Sequence, residues 1–359
     1  MVPQTPRESR FHTLIAELHT LPDADSVEQW PTDQLARLQR AGAYRWNIPV
    51  QYGGDGLSPE SMLQRYRELA RASLLITFVL SQRNAACQRI ETSPNTAAAA
   101  AWLPKLAAGE LFATVGISHL TTSRQYLKVP AVTVTEAGDD YILNGTIPWA
   151  TGAAYADLLV TGGTLSDGRQ ILAAIPIHRT GVSVKPPVSL MGLSASCTSE
   201  VQLQDVHISG ADLLHGPVER VMTAGTGMGG AGSLSTSAIA LGTAQGTLDH
   251  FAEEAALRPE LLPFLNPLQR EAEELAQQLE TAAAGGNPKE TMSSETLRRR
   301  ANSLVMRSAQ AWLASTRGAG YLAGHPAERA VRESLFFLVW SCPQPVLEGN
   351  LRELACGTG

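Results

Sequence analysis

Over the first hundred positions apolar residues recur every three or four places, the period of a helix with one buried face. The pattern predicts helices over residues 11–21 and 31–43, with Asp33 capping the second. Residues 47–57 break the period with one proline and three glycines and read as a loop. Ser58 then suits an N-cap and Pro59 the first helical position, and the helical pattern runs to about Ile90. A further helix covers the alanines after Asn95 to about Leu106.

The period changes at Leu111. Short runs rich in β-branched residues occupy 112–118, 131–135, 140–143, 156–161, 169–176, 181–185 and 200–206. Turn signals separate them near Asp139, at Asn144-Gly145 and at Ser166-Asp167-Gly168. After Pro217 the helical period returns over 233–257, 266–284, 296–317 and 328–339. The glycine-rich stretch 225–232 has no strand feeding it, so it reads as a linker rather than a phosphate loop. The expected fold is α+β: an N-terminal helical domain (1–110), a central antiparallel β-barrel or sandwich (111–216) and a C-terminal four-helix bundle (217–359).

Composition narrows the function. The 359 residues carry a net charge of -6, which disfavours nucleic acid and anionic membrane surfaces as partners. No run of 18 apolar residues exists and the N-terminus lacks an apolar core, so neither a membrane span nor a signal peptide is expected, and a cytoplasmic location is. Cys87, Cys197, Cys342 and Cys356 form no metal spacing and read as reduced thiols. The longest basic run, Arg298-Arg299-Arg300, reads as a solvated helix face.

Three motifs carry a family resemblance. Ile48-Pro49-Val50-Gln51-Tyr52-Gly53-Gly54-Asp55-Gly56 resembles the IPxxYGGxG loop of acyl-CoA dehydrogenases. Leu143-Asn144-Gly145, Trp149, Thr151 and Ala156-Asp157 are similar to that family's LNGxKxWxTxA…AD run. Met191-Gly192, Ser196 and Thr198, leading to Val201 and Asp205-Val206, resemble its MGxRxSxTxxVxFxxV strand pair. Their order, with helices on both sides, resembles the whole family fold.

The resemblance implies FAD between the β domain and the C-terminal bundle. Trp149 matches the tryptophan beside the flavin ring and Thr151 the hydroxyl near its reactive nitrogen. Ser118 matches a ring-edge hydroxyl and Ser123 a pyrophosphate contact, although the proline and glycines of the family loop are absent here. His119 in that loop reads as an ordinary histidine. Arg258, with Gln269 eleven residues on, keeps the spacing of the arginine that reaches a neighbouring subunit's flavin phosphate, while Leu261-Leu262 replace the family's Phe-Gly. The implied partners are an acyl thioester or other small apolar substrate and a second copy of the chain, as homodimer or homotetramer.

The implied reaction removes an α-proton from an acyl thioester while hydride passes to the flavin, and it needs a desolvated carboxylate. Ungapped counting from Arg332 puts Ser341 at that place, and Ser341 is no base. A gapped reading offers Glu348 in Leu347-Glu348-Gly349-Asn350. The earlier helix position used by some relatives falls on Ser233. The sequence therefore leaves three functions open: an acyl-thioester dehydrogenase, a flavin-dependent monooxygenase or oxidase, and a non-catalytic paralogue.

Overall fold

A computed structural model describes residues 6–20, 29–121, 129–223, 234–286 and 292–356. Ser123, Ser233 and the glycine-rich stretch 225–232 lie outside the described residues. The N-terminal helices are α1 (Pro6–Thr20), α2 (Thr32–Arg40), α3 (Pro59–Ala72), α4 (Leu74–Glu91) and α5 (Thr96–Ala108). Ser58 caps α3 by accepting from the Ser61 amide, with Pro59 at the first position, and Asn95 caps α5 through the Ala98 amide. Asp33 does not cap α2. Pro31 holds the cap position, and Asp33 sits in the first turn, where its charge faces the positive end of the helix dipole.

Eight strands follow: β1 (Ala113–Gly116), β2 (Val132–Ala137), β3 (Asp140–Ala150), β4 (Leu158–Leu165), β5 (Gln170–Pro176), β6 (Val182–Val184), β7 (Ser199–Ile208) and β8 (Leu213–Val218). They form one sheet in the order β6-β7-β3-β2-β4-β5-β8, with β1 also on β4. The sheet is mixed rather than wholly antiparallel, because β1 and β2 both pair parallel to β4. They share one edge of it end to end. β1 covers Leu158 to Thr161 and β2 resumes at Thr164. Asn144-Gly145 is not a turn. It lies inside β3 at a bulge against β7, where Asn144 exchanges two hydrogen bonds with Asp205, 2.8 Å from the amide and 3.0 Å to the carboxylate. The β2–β3 turn falls instead on Gly138-Asp139, as the Ala137–Asp140 pairing requires.

The C-terminal helices are α6 (Leu234–Leu257), α7 (Leu262–Ala283), α8 (Ser294–Thr316), α9 (Pro326–Leu335) and α10 (Gln344–Cys356). The last was not anticipated as a helix. Three apolar cores hold the layers together. One joins the N-terminal helices to the C-terminal helices and includes Leu193 and Ala195 from the loop before β7. A second packs α4 and α5 on one face of the sheet, through Cys87, Ile90, Leu103, Leu158, Val160 and Leu172. The third lies between strands, with Val134, Ile147, Leu159, Ile171 and Val201 and no helical residue, so the sheet curls over its own inner face. Strands β4 and β5 are covered on both sides, so burial runs along them without alternating.

Where α6 crosses α3 the backbones come too close for side chains. A Cβ on Gly242 would lie 2.1 Å from the Arg67 carbonyl oxygen, and one on Gly246 2.3 Å from that of Arg71. Arg71 locks the crossing by a two-bond pair with Asp249, at 2.5 and 2.6 Å. Gly246→Ala should therefore destabilise the chain by about 2 kcal/mol net, because forced separation of two helices outweighs the ~1 kcal/mol gain in helix propensity. Urea denaturation midpoints check this; an unchanged or raised midpoint contradicts it.

Candidate functional site

Alternation along β3 alone would turn Trp149 inward, beside Ile147. A second irregularity in the pairing with β7, between Ile147 and Ala150, inserts a residue and reverses the sense. Trp149 consequently points outward with 48% of its surface exposed, while Ala150 is buried. An indole left this open at a strand end is an apolar platform awaiting a flat partner.

The next residues build a polar rim. Thr151 is buried, and its carbonyl accepts from the Thr114 hydroxyl of β1 at 2.7 Å. Its own hydroxyl lies 3.2 Å from that of Thr198, which lies 2.9 Å from that of Ser196. The Gly152 amide donates to the Ser196 carbonyl at 3.0 Å. The turn carrying Ser196 is folded tightly between two left-handed residues, Leu193 at φ 65° and Cys197 at φ 46°. Two of the sequence motifs thus meet in one row of hydroxyls. Their neighbour in space is the short turn after β1 that carries Ser118 and packs against β3. The Ser118 hydroxyl is buried and meets no hydrogen-bond partner. The structure therefore sets Thr151, next to Trp149, in the hydroxyl row with Ser196 and Thr198, and places the turn bearing Ser118 against β3.

His119, beside Ser118, has a structural task. Between the ends of β1 and β2 the edge of β4 exposes Gly162, and His119 Nε2 bonds its carbonyl at 2.9 Å, in place of a strand. Burial lowers its pKa below the usual 6.5, opposed by that same bond.

The other predicted residues lie apart from this group. Arg258 follows α6 and spends Nη2 on Glu254 at 2.8 Å and on the Ser315 carbonyl at the end of α8, at 2.7 Å. Its guanidinium clamps two helix ends of its own chain. Glu348 projects from α10 into solvent, bonded by Gln344 at 2.9 Å and 3.7 Å from Arg352. It lacks the desolvation that a proton-abstracting carboxylate needs. Ser341 is exposed in the turn between α9 and α10, at φ 47°. Beside it Trp340 stacks on Phe336 at 5.1 Å and meets the edge of Phe78 at 5.2 Å. Neither position therefore carries a buried carboxylate.

The basic run is not a solvated face either. Arg298 is wholly buried, Arg299 lies against Gly349, and Arg300 pairs with Glu271 and Glu274. The signal was available: Arg298 shares a three-to-four spacing with Ala301, Asn302, Val305 and Ala309, all buried.

Residues 14–110 match the acyl-CoA dehydrogenase N-terminal domain. Probable acyl-CoA dehydrogenase YngJ of Bacillus subtilis is 27% identical over 65% of this chain and 63% of its own. The chain spans less than two thirds of the length of the first curated relatives it matches. Among solved structures, butyryl-CoA dehydrogenase from Megasphaera elsdenii superposes with a TM-score of 0.82 at 19% identity, covering 99% of each chain. The prolyl acyl carrier protein oxidase AnaB gives 0.81 at 18%, covering 99% of this chain and all of that one. Residues 14–110 are thus similar to the N-terminal domain of acyl-CoA dehydrogenases, and the helix–sheet–helix fold is the one seen in these solved structures. Among the described residues no helix is long and apolar enough to cross a membrane, and no group of His, Cys, Asp or Glu is arranged to hold a metal.

The lowered pKa of His119 fixes the sign of a pH effect. Below the usual histidine value the unfolded chain takes up a proton that the folded chain refuses, so stability falls as the pH drops through about 6.5. His215 is shifted in the same direction, also chiefly by burial. His119→Gln can keep a donor toward Gly162 without titrating. Its melting temperature should fall less than that of the unmodified chain between pH 7.5 and pH 5.5, roughly one unit either side of the histidine value. Parallel curves would contradict the assignment.

Proposed function

We propose that this chain binds FAD at the Trp149 end of the sheet and acts as an oxidoreductase on an acyl thioester. The observation that carries the reading is the outward indole of Trp149 beside the hydroxyl row of Thr151, Thr198 and Ser196. The unpartnered Ser118 hydroxyl fits the same group, since a flavin edge offers carbonyl oxygens and ring nitrogens to donors. When bound, the cofactor accepts a hydride equivalent from the substrate. Trp149 would cover one face of the ring and exclude water from it. Thr151, fixed by Thr198 and Thr114, would present a hydroxyl at a set angle. Ser118 would donate at the ring edge. On the phosphate side Arg258 would first have to leave Glu254 and Ser315, so flavin retention should be weaker than a free arginine would give.

A second reading has its own support. Neither Ser341 nor Glu348 offers a desolvated base. An oxygen-using oxidase or monooxygenase on this fold would not require a carboxylate at those positions. In either case a second copy of the chain is the proposed partner.

The visible spectrum of the purified protein, reconstituted with FAD and freed of excess by gel filtration, tests the binding step. Retained flavin absorbance is expected, with at least about tenfold weaker retention in Trp149→Ala, a loss of about 1.4 kcal/mol. A protein that stays colourless overturns the proposal. Anaerobic bleaching by an acyl-CoA then separates the two readings: bleaching without oxygen supports dehydrogenation, and turnover only with oxygen supports the second. Glu348→Gln should leave bleaching unchanged, and its loss would restore Glu348 as the base.

A further inference from the structure

Among the described residues two arginines are wholly buried, and the fold treats them differently. Arg83 on α4 donates to the Leu106 carbonyl at 2.5 Å and to Asn84 Oδ1 at 3.1 Å, and covers the Tyr44 ring at 4.3 Å. Two of its nitrogens meet acceptors, and only its Nε does not. Arg298 on α8 has one acceptor: Nη2 donates to the Trp340 carbonyl at 3.0 Å. Its Nε and Nη1 are equally buried and meet no acceptor. The rings of Phe337 and Trp340 lie 5.7 and 5.9 Å from its guanidinium carbon, close enough to offset part of its desolvation. Among the described residues no carboxylate pairs with it, since Glu271 and Glu274 are taken by Arg300 and Arg307. Burial lowers its pKa to about 10, which leaves it a cation at neutral pH.

A buried cation without a counter-charge costs several kcal/mol, and each unmet N–H adds about 1–3 kcal/mol. A chain that needed only volume here would be served better by methionine or leucine. The surroundings fit an anion from outside. Asn302 stands one turn further along α8, and Asn350 faces it from α10 with its Nδ2 committed only to a weak acceptor, Cys342 Sγ at 3.5 Å. The cover is thin: Val339 and Ser341 are exposed on the turn above, and Trp340 and Cys342 are part-buried. The aromatic walls favour a small, planar, singly charged group over a strongly hydrated phosphate.

We infer that Arg298, with Asn350 beside it, receives the carboxylate of a ligand beneath the turn from Trp340 to Pro343. The carboxylate comes either from a free small acid or from the far end of an acyl substrate. Only the second source rests on the function proposed above, because ungapped counting puts the place of the base, Ser341, on that turn.

The test uses the full chain without added flavin. Sodium acetate is titrated against sodium chloride at constant ionic strength, with tryptophan fluorescence and melting temperature as readouts. A saturable change with acetate and none with matched chloride is expected, lost or at least about tenfold weaker in Arg298→Met. Methionine removes the charge and keeps the length, and such replacements of buried charges are often neutral or stabilising. Should that variant fail to fold, Asn350→Leu, which removes the donor facing Asn302 and Cys342, should weaken the response. No saturable response overturns the inference. An unchanged response in both variants overturns it as well. The sources are separated by comparing glutaryl-CoA with butyryl-CoA binding. A preference for the former that disappears in Arg298→Met assigns an acyl substrate, whereas saturation by acetate with no such preference assigns a free acid. Because the acetate response needs no flavin, a colourless protein that still binds acetate would sink the oxidoreductase reading alone.

Discussion

The close crossing of α3 and α6 sets the distance between the two helical layers, and the sites lie downstream of that distance. Gly242 and Gly246 let carbonyls of α3 touch the α6 backbone, and Arg71 with Asp249 fixes the rotation. With α6 held so near, one apolar core serves both layers, and the loop before β7 contributes Leu193 and Ala195 to it. The same loop is pinned from the far side, where Arg332 of α9 donates to the Met191 carbonyl at 2.9 Å. The turn bearing Ser196 and Thr198 is therefore positioned by helices on both flanks. Its hydroxyls in turn fix Thr151. A packing constraint between helices thus ends as an orientation constraint at the end of β3.

Two irregularities in one strand pairing do separate work. The bulge at Gly145 is tied by Asn144 and Asp205 and bends β3. The shift between Ile147 and Ala150 turns Trp149 out of the core. Regular pairing would bury that ring and leave nothing at the sheet end for a flat ligand. Bulges beside ligand sites commonly redirect a side chain in this way.

Element types were legible in the sequence because the periods are strong: 3.6 in the outer thirds, short β-branched runs between. Trp149, Thr151 and Ser118 were legible as candidates only through motif spacing; what the structure adds is the meeting of Thr151 with Thr198 and Ser196, which come from a motif far along the chain. What the sequence concealed has physical reasons. Asn144-Gly145 reads as a turn by local preference, but cross-strand pairing with Asp205 overrides it. The parallel pairings on β4 leave no local trace, since each partner lies dozens of residues away. Arg258 kept its spacing, yet a helix end in its own chain offered a closer acceptor. Arg298 sat within a basic run that composition alone reads as solvated, and only its place on the apolar stripe distinguished it. Exposure decides between Glu348 as base and as surface residue, and exposure is a tertiary property.

The shared edge of β4 bears on how the chain opens. β1 is followed and preceded by segments of different layers, and it is sandwiched between α4 and β4. Residues at 113–116 cannot leave the sheet without uncovering the core that α4 and α5 share with β4, β5 and β8. The N-terminal helices and the strands are therefore one cooperative unit in local-unfolding terms, although their sequence patterns differ. The outer end of β3 belongs to the same unit, through the Thr114 hydroxyl on the Thr151 carbonyl, the Gly152 amide on the loop before β7, and the buried Ala150 and Ala153. The sheet end that carries Trp149 thus cannot open without disturbing β1 and the core behind it.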